Sequence, residues 1–153
     1  AGLDLDGAFD NTLCAWQDCG VHSKCFMTDS NIRAAVAAWV SDAAAAEATY
    51  GHMSSWETSA VTDMANLFCE REAWMEGDTD FDACVLPRND PGIPWSLHGD
   101  NSIIDAWDTS SVTTMYRMFR NSPVFNEPIG SWRVDKVTDM SEMFGSTHAF
   151  NQP

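Results

Sequence analysis

Five cysteines, Cys14, Cys19, Cys25, Cys69 and Cys84, are the side chains of this sequence best suited to covalent chemistry. None sits in a Cys-x-x-Cys pair. Cys69 and Cys84 bracket an acidic stretch, and a bridge between them closes a loop of about 15 residues, worth ~3 kcal/mol through the entropy it removes from the unfolded chain. One bridge is expected among the three N-terminal cysteines, which leaves the odd cysteine free or bonded to a group outside this sequence. Such usage favours an oxidising compartment. Cys14, Cys19, His22 and Cys25 are also four zinc-ligand types, but their spacing fits no common zinc module, and zinc-binding thiolates compete with disulfide formation.

The acidic triad Asp78, Asp80 and Asp82 opens like a calcium loop. The sixth position is Ala83 instead of Gly and the twelfth is Asn89 instead of Glu, so an EF-hand site is not expected and only loose calcium binding remains open. The histidines, His22, His52, His98 and His148, are scattered, without a zinc-protease or nucleophile-elbow context. There is no glycine-rich phosphate loop, and no carboxylate pair is set in apolar surroundings that would tune its pKa. The sequence therefore points to no catalytic residue, no cofactor and no enzyme.

Charge narrows the partners. Asp and Glu total 23 against 8 Lys and Arg, a formal net charge of −15. Nucleic acid and anionic membrane surfaces would be repelled. The excess is concentrated in residues 1–100, which hold 17 acids and 4 bases; residues 101–153 hold 6 and 4. No run approaches the ~20 apolar residues that a bilayer crossing needs. The chain starts at Ala1, which reads as a processed product or a fragment.

The elements that must position these residues are repeats. Trp107, Val112, Met115, Met118, Phe119 and Phe125 recur 25 residues later as Trp132, Val137, Met140, Met143, Phe144 and Phe150. An earlier copy lies 51 residues upstream, where Trp56, Val61, Met64 and Phe68 match Trp107, Val112, Met115 and Phe119. The extra length falls in an acidic, proline-broken insertion at about 69–102. The methionines and tryptophans share the repeat's apolar positions, so they are expected in the core, not on copper or a promiscuous surface. Spacings of three and four suggest a short helix or 3₁₀ turn over Met115 to Phe119, capped by Ser110 or Ser111. Ile104 to Asp108 is the best strand candidate. One such unit cannot bury its own apolar face, so neighbours must stack.

The runs Trp107-Asp108-Thr109-Ser110-Ser111-Val112-Thr113-Thr114-Met115-Tyr116-Arg117-Met118-Phe119 and Phe125-Asn126-Glu127-Pro128-Ile129-Gly130-Ser131-Trp132 resemble the BspA-type surface-protein repeat, a solenoid family related to leucine-rich repeats. The likeness covers about residues 56–68 and 103–153. Its departures are the 51-residue gap and Arg133, where an acid usually follows the Trp. The resemblance implies an α/β solenoid of strand-plus-short-helix repeats and a role in adhesion or recognition, with no catalytic site. The stretch Ala35-Val36-Ala37-Ala38-Trp39, followed by Tyr50-Gly51 and Trp56-Glu57-Thr58-Ser59, resembles algal members.

Residues 30–49 read as one amphipathic helix: Ile32, Val36, Trp39, Val40 and Ala43 form its stripe, Asp29 or Ser30 caps it, and Gly51 ends it. The expected organisation is a Cys-rich, disulfide-pinned extension at 1–29, a capping helix at 30–52 and a repeat solenoid at 53–153. In the last copy, Met140, Met143, Phe144 and Phe150 should form an uncovered stacking face. Met143, Phe144 and Phe150, with Asp78, Asp80 and Asp82, are thus the candidate partner contacts. The functional expectation is a protein–protein interaction or structural subunit on a larger assembly, with a surface adhesin fragment as the alternative. Its expected setting is extracytoplasmic, secreted or at a cell surface, or else an organelle lumen such as the thylakoid lumen.

Overall fold

A computed structural model of the chain describes residues 25–70, 84–86 and 103–153. Strand β1 (Phe26–Thr28) lies parallel to β2 (Glu57–Ala60), with Phe26 opposite Glu57 and Thr28 opposite Ala60. Between them run α1 (Ile32–Ser41), α2 (Ala43–Tyr50) and a 3₁₀ turn at Met53–Ser55. The sequence gives no sign of β1, because three residues are too few to show a period of two. Its partner strand, about thirty residues on, decides it.

Helix α1 buries Ile32, Ala35, Val36 and Trp39. The single helix expected over 30–49 is in fact two. Asp42 is extended (φ −156°, ψ 96°), and its carboxylate accepts the Ala45 N–H at 3.0 Å. A short acid competes for nearby backbone donors, which is why it starts α2 instead of continuing α1. The expected caps also differ. Asn31 precedes α1 without a side-chain cap, and its Oδ1 accepts the Thr28 N–H instead. Gly51 ends α2 at φ 70°, a left-handed value that glycine adopts without a Cβ clash.

The copies meet through their backbones in a fixed register. The N–H groups of Met64, Asn66, Phe68 and Glu70 donate to the carbonyls of Thr114, Tyr116, Met118 and Arg120. Those of Met115, Arg117, Phe119 and Asn121 donate to Asp139, Ser141, Met143 and Gly145. In the reverse direction, Thr113 N–H reaches Thr62 O and Thr138 N–H reaches Thr113 O, both at 2.8 Å. Asp63, Thr114 and Asp139 form parallel bridges in sequence.

Within each copy the chain makes a hydrogen-bonded turn, not the short helix or 3₁₀ segment expected at Met115 to Phe119. Leu67, Met118 and Met143 donate to Met64, Met115 and Met140, and the residue before each donor is left-handed: Asn66 (φ 58°), Arg117 (φ 52°) and Glu142 (φ 57°). A left-handed residue ends helical continuation but turns the next peptide so that it points along the stack. Asp63, Thr114 and Asp139 cap these turns by accepting the N–H two residues on, at 2.8, 3.3 and 2.8 Å; Ser110 and Ser111 do not. Ile104 to Asp108, the expected strand, is a bend in which Trp107 N–H bonds Ile104 O at 3.1 Å.

Side chains pack in matching columns. Trp56 lies on Trp107 (6.0 Å between ring centres), Phe68 on Phe119 (5.5 Å), Phe119 on Phe144 (5.8 Å) and Phe125 on Phe150 (5.5 Å). Each indole N–H finds a carbonyl: Trp107 on Met53 and Trp132 on Ile104, residues that are themselves equivalent, and Trp56 on Gly51. Buried indoles need such partners, so the tryptophans fix register as well as volume. Val61, Met64, Val112, Met115, Met118 and Phe125 are fully buried. In the third copy burial fades: Val137, Phe144 and Phe150 are half-buried, and Met140 is 41% exposed where Met64 and Met115 are at zero. Met140 is therefore not a core residue among the described residues, where nothing covers its outer side. Met143, expected both in the repeat core and on the uncovered face, is only 6% exposed and so lies with the core.

Candidate interaction surface

The two ends of this stack differ in how their backbone groups are used. At the inner end, Asp29 accepts Thr62 N–H (2.7 Å), Thr62 Oγ1–H (2.6 Å) and Asp63 N–H (3.0 Å). Burial would raise the carboxyl's pKa, but these bonds, aided by nearby Arg33, hold it below the usual aspartate value. Arg33 donates to Ala65 O at 2.6 Å and pairs with Asp63 at 3.1 Å. Leu86 N–H donates to Cys69 O. Side chains of α1 pack on the same end, with Trp39 edge-on to Trp56 at 6.2 Å. Asp29 and Arg33 were not legible as end caps, since nothing in their spacing reports a contact some thirty residues away.

At the outer end the pattern reverses. The N–H groups of Met140, Glu142, Phe144 and Ser146 are equivalent to donors that are all used in the first two copies, yet they have no hydrogen-bond partner among the described residues. Around them lie the partly exposed rings of Phe144 and Phe150, stacked 4.3 Å apart, and the exposed Met140. Glu142 is held by Arg117 at 3.2 Å and by Arg120. Two of the candidate contacts read from sequence, Phe144 and Phe150, thus share this end with Met140. Asp78, Asp80 and Asp82 lie outside the described residues.

The chemical candidates resolve differently. Cys69 and Cys84 are joined by a disulfide. Cys25 is also disulfide-bonded, to a partner outside the described residues, where Cys14 and Cys19 lie. His22 and His98 lie there too. His52 packs edge-on against Trp39 at 5.2 Å, and its Nδ1 meets Ser54 Oγ at 2.6 Å, a structural setting. Among the described residues no group of three or more His, Cys, Asp or Glu could hold a metal ion. Trp56, Trp107 and Trp132 are buried and offer no stacking platform to a ligand. One feature has no sequence signal: Glu127 is 8% exposed, with Oε2 unpaired. Burial pushes its carboxyl above the usual glutamate value, against the lowering effect of the Ile103 N–H.

The 25-residue register, carried through both backbone and rings, is what a family signature would have to contain. The signature of the family described as Mycoplasma protein of unknown function, DUF285, matches residues 37–83 and 97–153, more than half of the chain. The chain belongs to this family. DUF285 falls within the BspA-like group of surface repeat proteins, so the resemblance seen in the motifs holds at that level. Neither the curated proteins nor the solved structures give a match. The DUF285 match spans the inner-end helices from Ala37, all three copies and part of the insertion. A disulfide and a surface-protein type of family are compatible with an extracellular location. Among the described residues no helix is long and apolar enough to cross a membrane.

Proposed function

We propose that this chain is a non-catalytic protein–protein interaction module, a short solenoid whose stacked copies present an outer surface to another protein. The observation that carries the reading is the contrast between its ends. Asp29, Arg33 and Leu86 occupy backbone groups at the inner end, while at the outer one four aligned N–H groups have no hydrogen-bond partner among the described residues and the rings of Phe144 and Phe150 are half-buried. Each face of a stacked copy needs a neighbouring copy, a polar cover or a partner, because a copy is stabilised only by what it stacks on. Apolar surface left exposed beside unpaired donors gains from a contact that covers both.

The chain so read is an accessory or scaffold subunit of a larger assembly. Its disulfides suit a secreted or cell-surface setting; for an algal-type member, an organelle lumen such as the thylakoid lumen suits them equally. The high negative charge favours a partner with a basic face. Native purification followed by mass spectrometry tests the function. A stoichiometric protein partner is the expected result. Turnover of a substrate by the chain alone, with metal bound in stoichiometric amount, would overturn it.

A further inference from the structure

We propose that the Cys69–Cys84 disulfide is a redox catch. While closed it holds residues 84–86 as an extra rung on the inner side of the first copy, and a dithiol that opens it releases that rung without dismantling the stack. The rung takes the place of a preceding copy. Glu70 N–H donates to Arg120 O and Asn121 N–H to Gly145 O, and Leu86 N–H extends the series by donating to Cys69 O. Cys69, Arg120 and Gly145 are equivalent positions in the three copies. Glu70 and Leu86 form a parallel bridge, as Asp63, Thr114 and Asp139 do. Leu86 is buried in the same core as Leu67 and Phe68. The rung stacks against chain order, because it follows in sequence the copy that it underlies.

The rung's backbone bonds are the long ones. Those between copies run from 2.8 to 3.1 Å. Leu86 N–H to Cys69 O is 3.3 Å and Val85 N–H to Asn66 O is 3.4 Å, both beyond the usual range of about 2.7–3.2 Å. The disulfide ties the first residue of the rung directly to the copy and removes the entropy of bringing it back at each docking. The copies are joined by backbone bonds and ring stacks that include neither sulfur, so their register does not depend on it. The two cysteines also differ in access: Cys69 is fully buried and Cys84 is half-buried. A thiolate of the dithiol therefore bonds to Cys84 Sγ, the S–S bond breaks, and Cys69 leaves as a thiolate that takes up a proton. The second thiol of the reductant then displaces Cys84, which is protonated in turn. Two electrons and two protons pass to the chain, and the dithiol ends as a disulfide.

Amide exchange on the full chain tests this, comparing the oxidised protein with Cys69→Ser/Cys84→Ser. The double variant keeps the bond of Cys25 and so isolates this one. A bridge across 15 residues shifts a local docking equilibrium by about 100-fold. The Val85 and Leu86 amides should exchange faster by about that factor in the variant. Those of Phe68 and Phe119, bonded between copies, should stay at least about tenfold slower than Leu86. On limited treatment of the unaltered chain with dithiothreitol and then iodoacetamide, Cys69 and Cys84 should be alkylated while Phe68 and Phe119 remain protected. Unchanged exchange at Leu86 in the variant would overturn the proposal, since the rung would then hold itself. Equal loss of protection at Leu86, Phe68 and Phe119, or alkylation only after the copies have opened, would overturn it too, because the bond would then hold the whole stack.

Discussion

Phe119 and Phe144 occupy equivalent places in the second and third copies, so replacing each by alanine removes the same ring from two different depths of one column. Phe119 is fully buried and meets Phe68 at 5.5 Å, Phe125 at 3.9 Å, Trp132 at 6.1 Å and Phe144 at 5.8 Å. Its loss leaves a cavity between copies that the paired backbones on both sides prevent from closing, and the cost is about 3–5 kcal/mol. Phe144 is half-buried and stacks on Phe119 and on Phe150 at 4.3 Å. Solvent already reaches its outer side, and Phe144→Ala should cost about 1–2 kcal/mol. Urea unfolding followed by tryptophan fluorescence, with disulfides intact, reads the difference. A domain of this kind has only about 5–15 kcal/mol in hand, so Phe119→Leu, at about 1–1.5 kcal/mol, serves if the alanine variant does not fold. Equal costs for the two alanine variants, or a greater cost at Phe144, would refute the stacked-copy reasoning.

Three further outcomes follow from the same contacts. Asp29→Asn should lower stability by about 1 kcal/mol or less at neutral pH, the carboxylate being exposed and screened. Because the folded pKa of Asp29 lies below its ordinary 3.8, that gap should be full well above pH 4 and shrink as pH falls through the folded value; a gap that grows as the solution is acidified contradicts the assignment. Glu127 has its folded pKa raised above 4.5, so its charged form destabilises the fold as pH rises. Glu127→Gln, which copies the equivalent Gln152, should raise stability at pH 7 by about 1 kcal/mol and change nothing at pH 3; identical melting curves at pH 7 would tell against it. The double variant Cys69→Ser/Cys84→Ser should lose ~3 kcal/mol and shift the urea midpoint down by about 1–2 M, and an unmoved midpoint would mean that this loop is ordered without its bridge.

What the sequence alone determined about this protein is its period. Trp, Val, Met and Phe recur at one spacing because each copy has to offer the same shape to its neighbour, and that demand is written residue by residue. The α1 stripe and the stop at Gly51 were legible for a similar reason, since both depend on residues within a few positions of one another. Tertiary structure decided what the period is made of. The methionine–phenylalanine spacing reads equally as a helical turn, and only bonds to the next copy favour the left-handed residues Asn66, Arg117 and Glu142, two of which have no intrinsic preference for that conformation. It also decided the difference between the ends. Asp29 and Arg33 act on Thr62, Asp63 and Ala65 across some thirty residues, and Met140 is exposed while Met64 and Met115 are not. Contacts of that range leave no local trace, because any acid, base or methionine satisfies the local pattern and only the packed neighbour gives it a role.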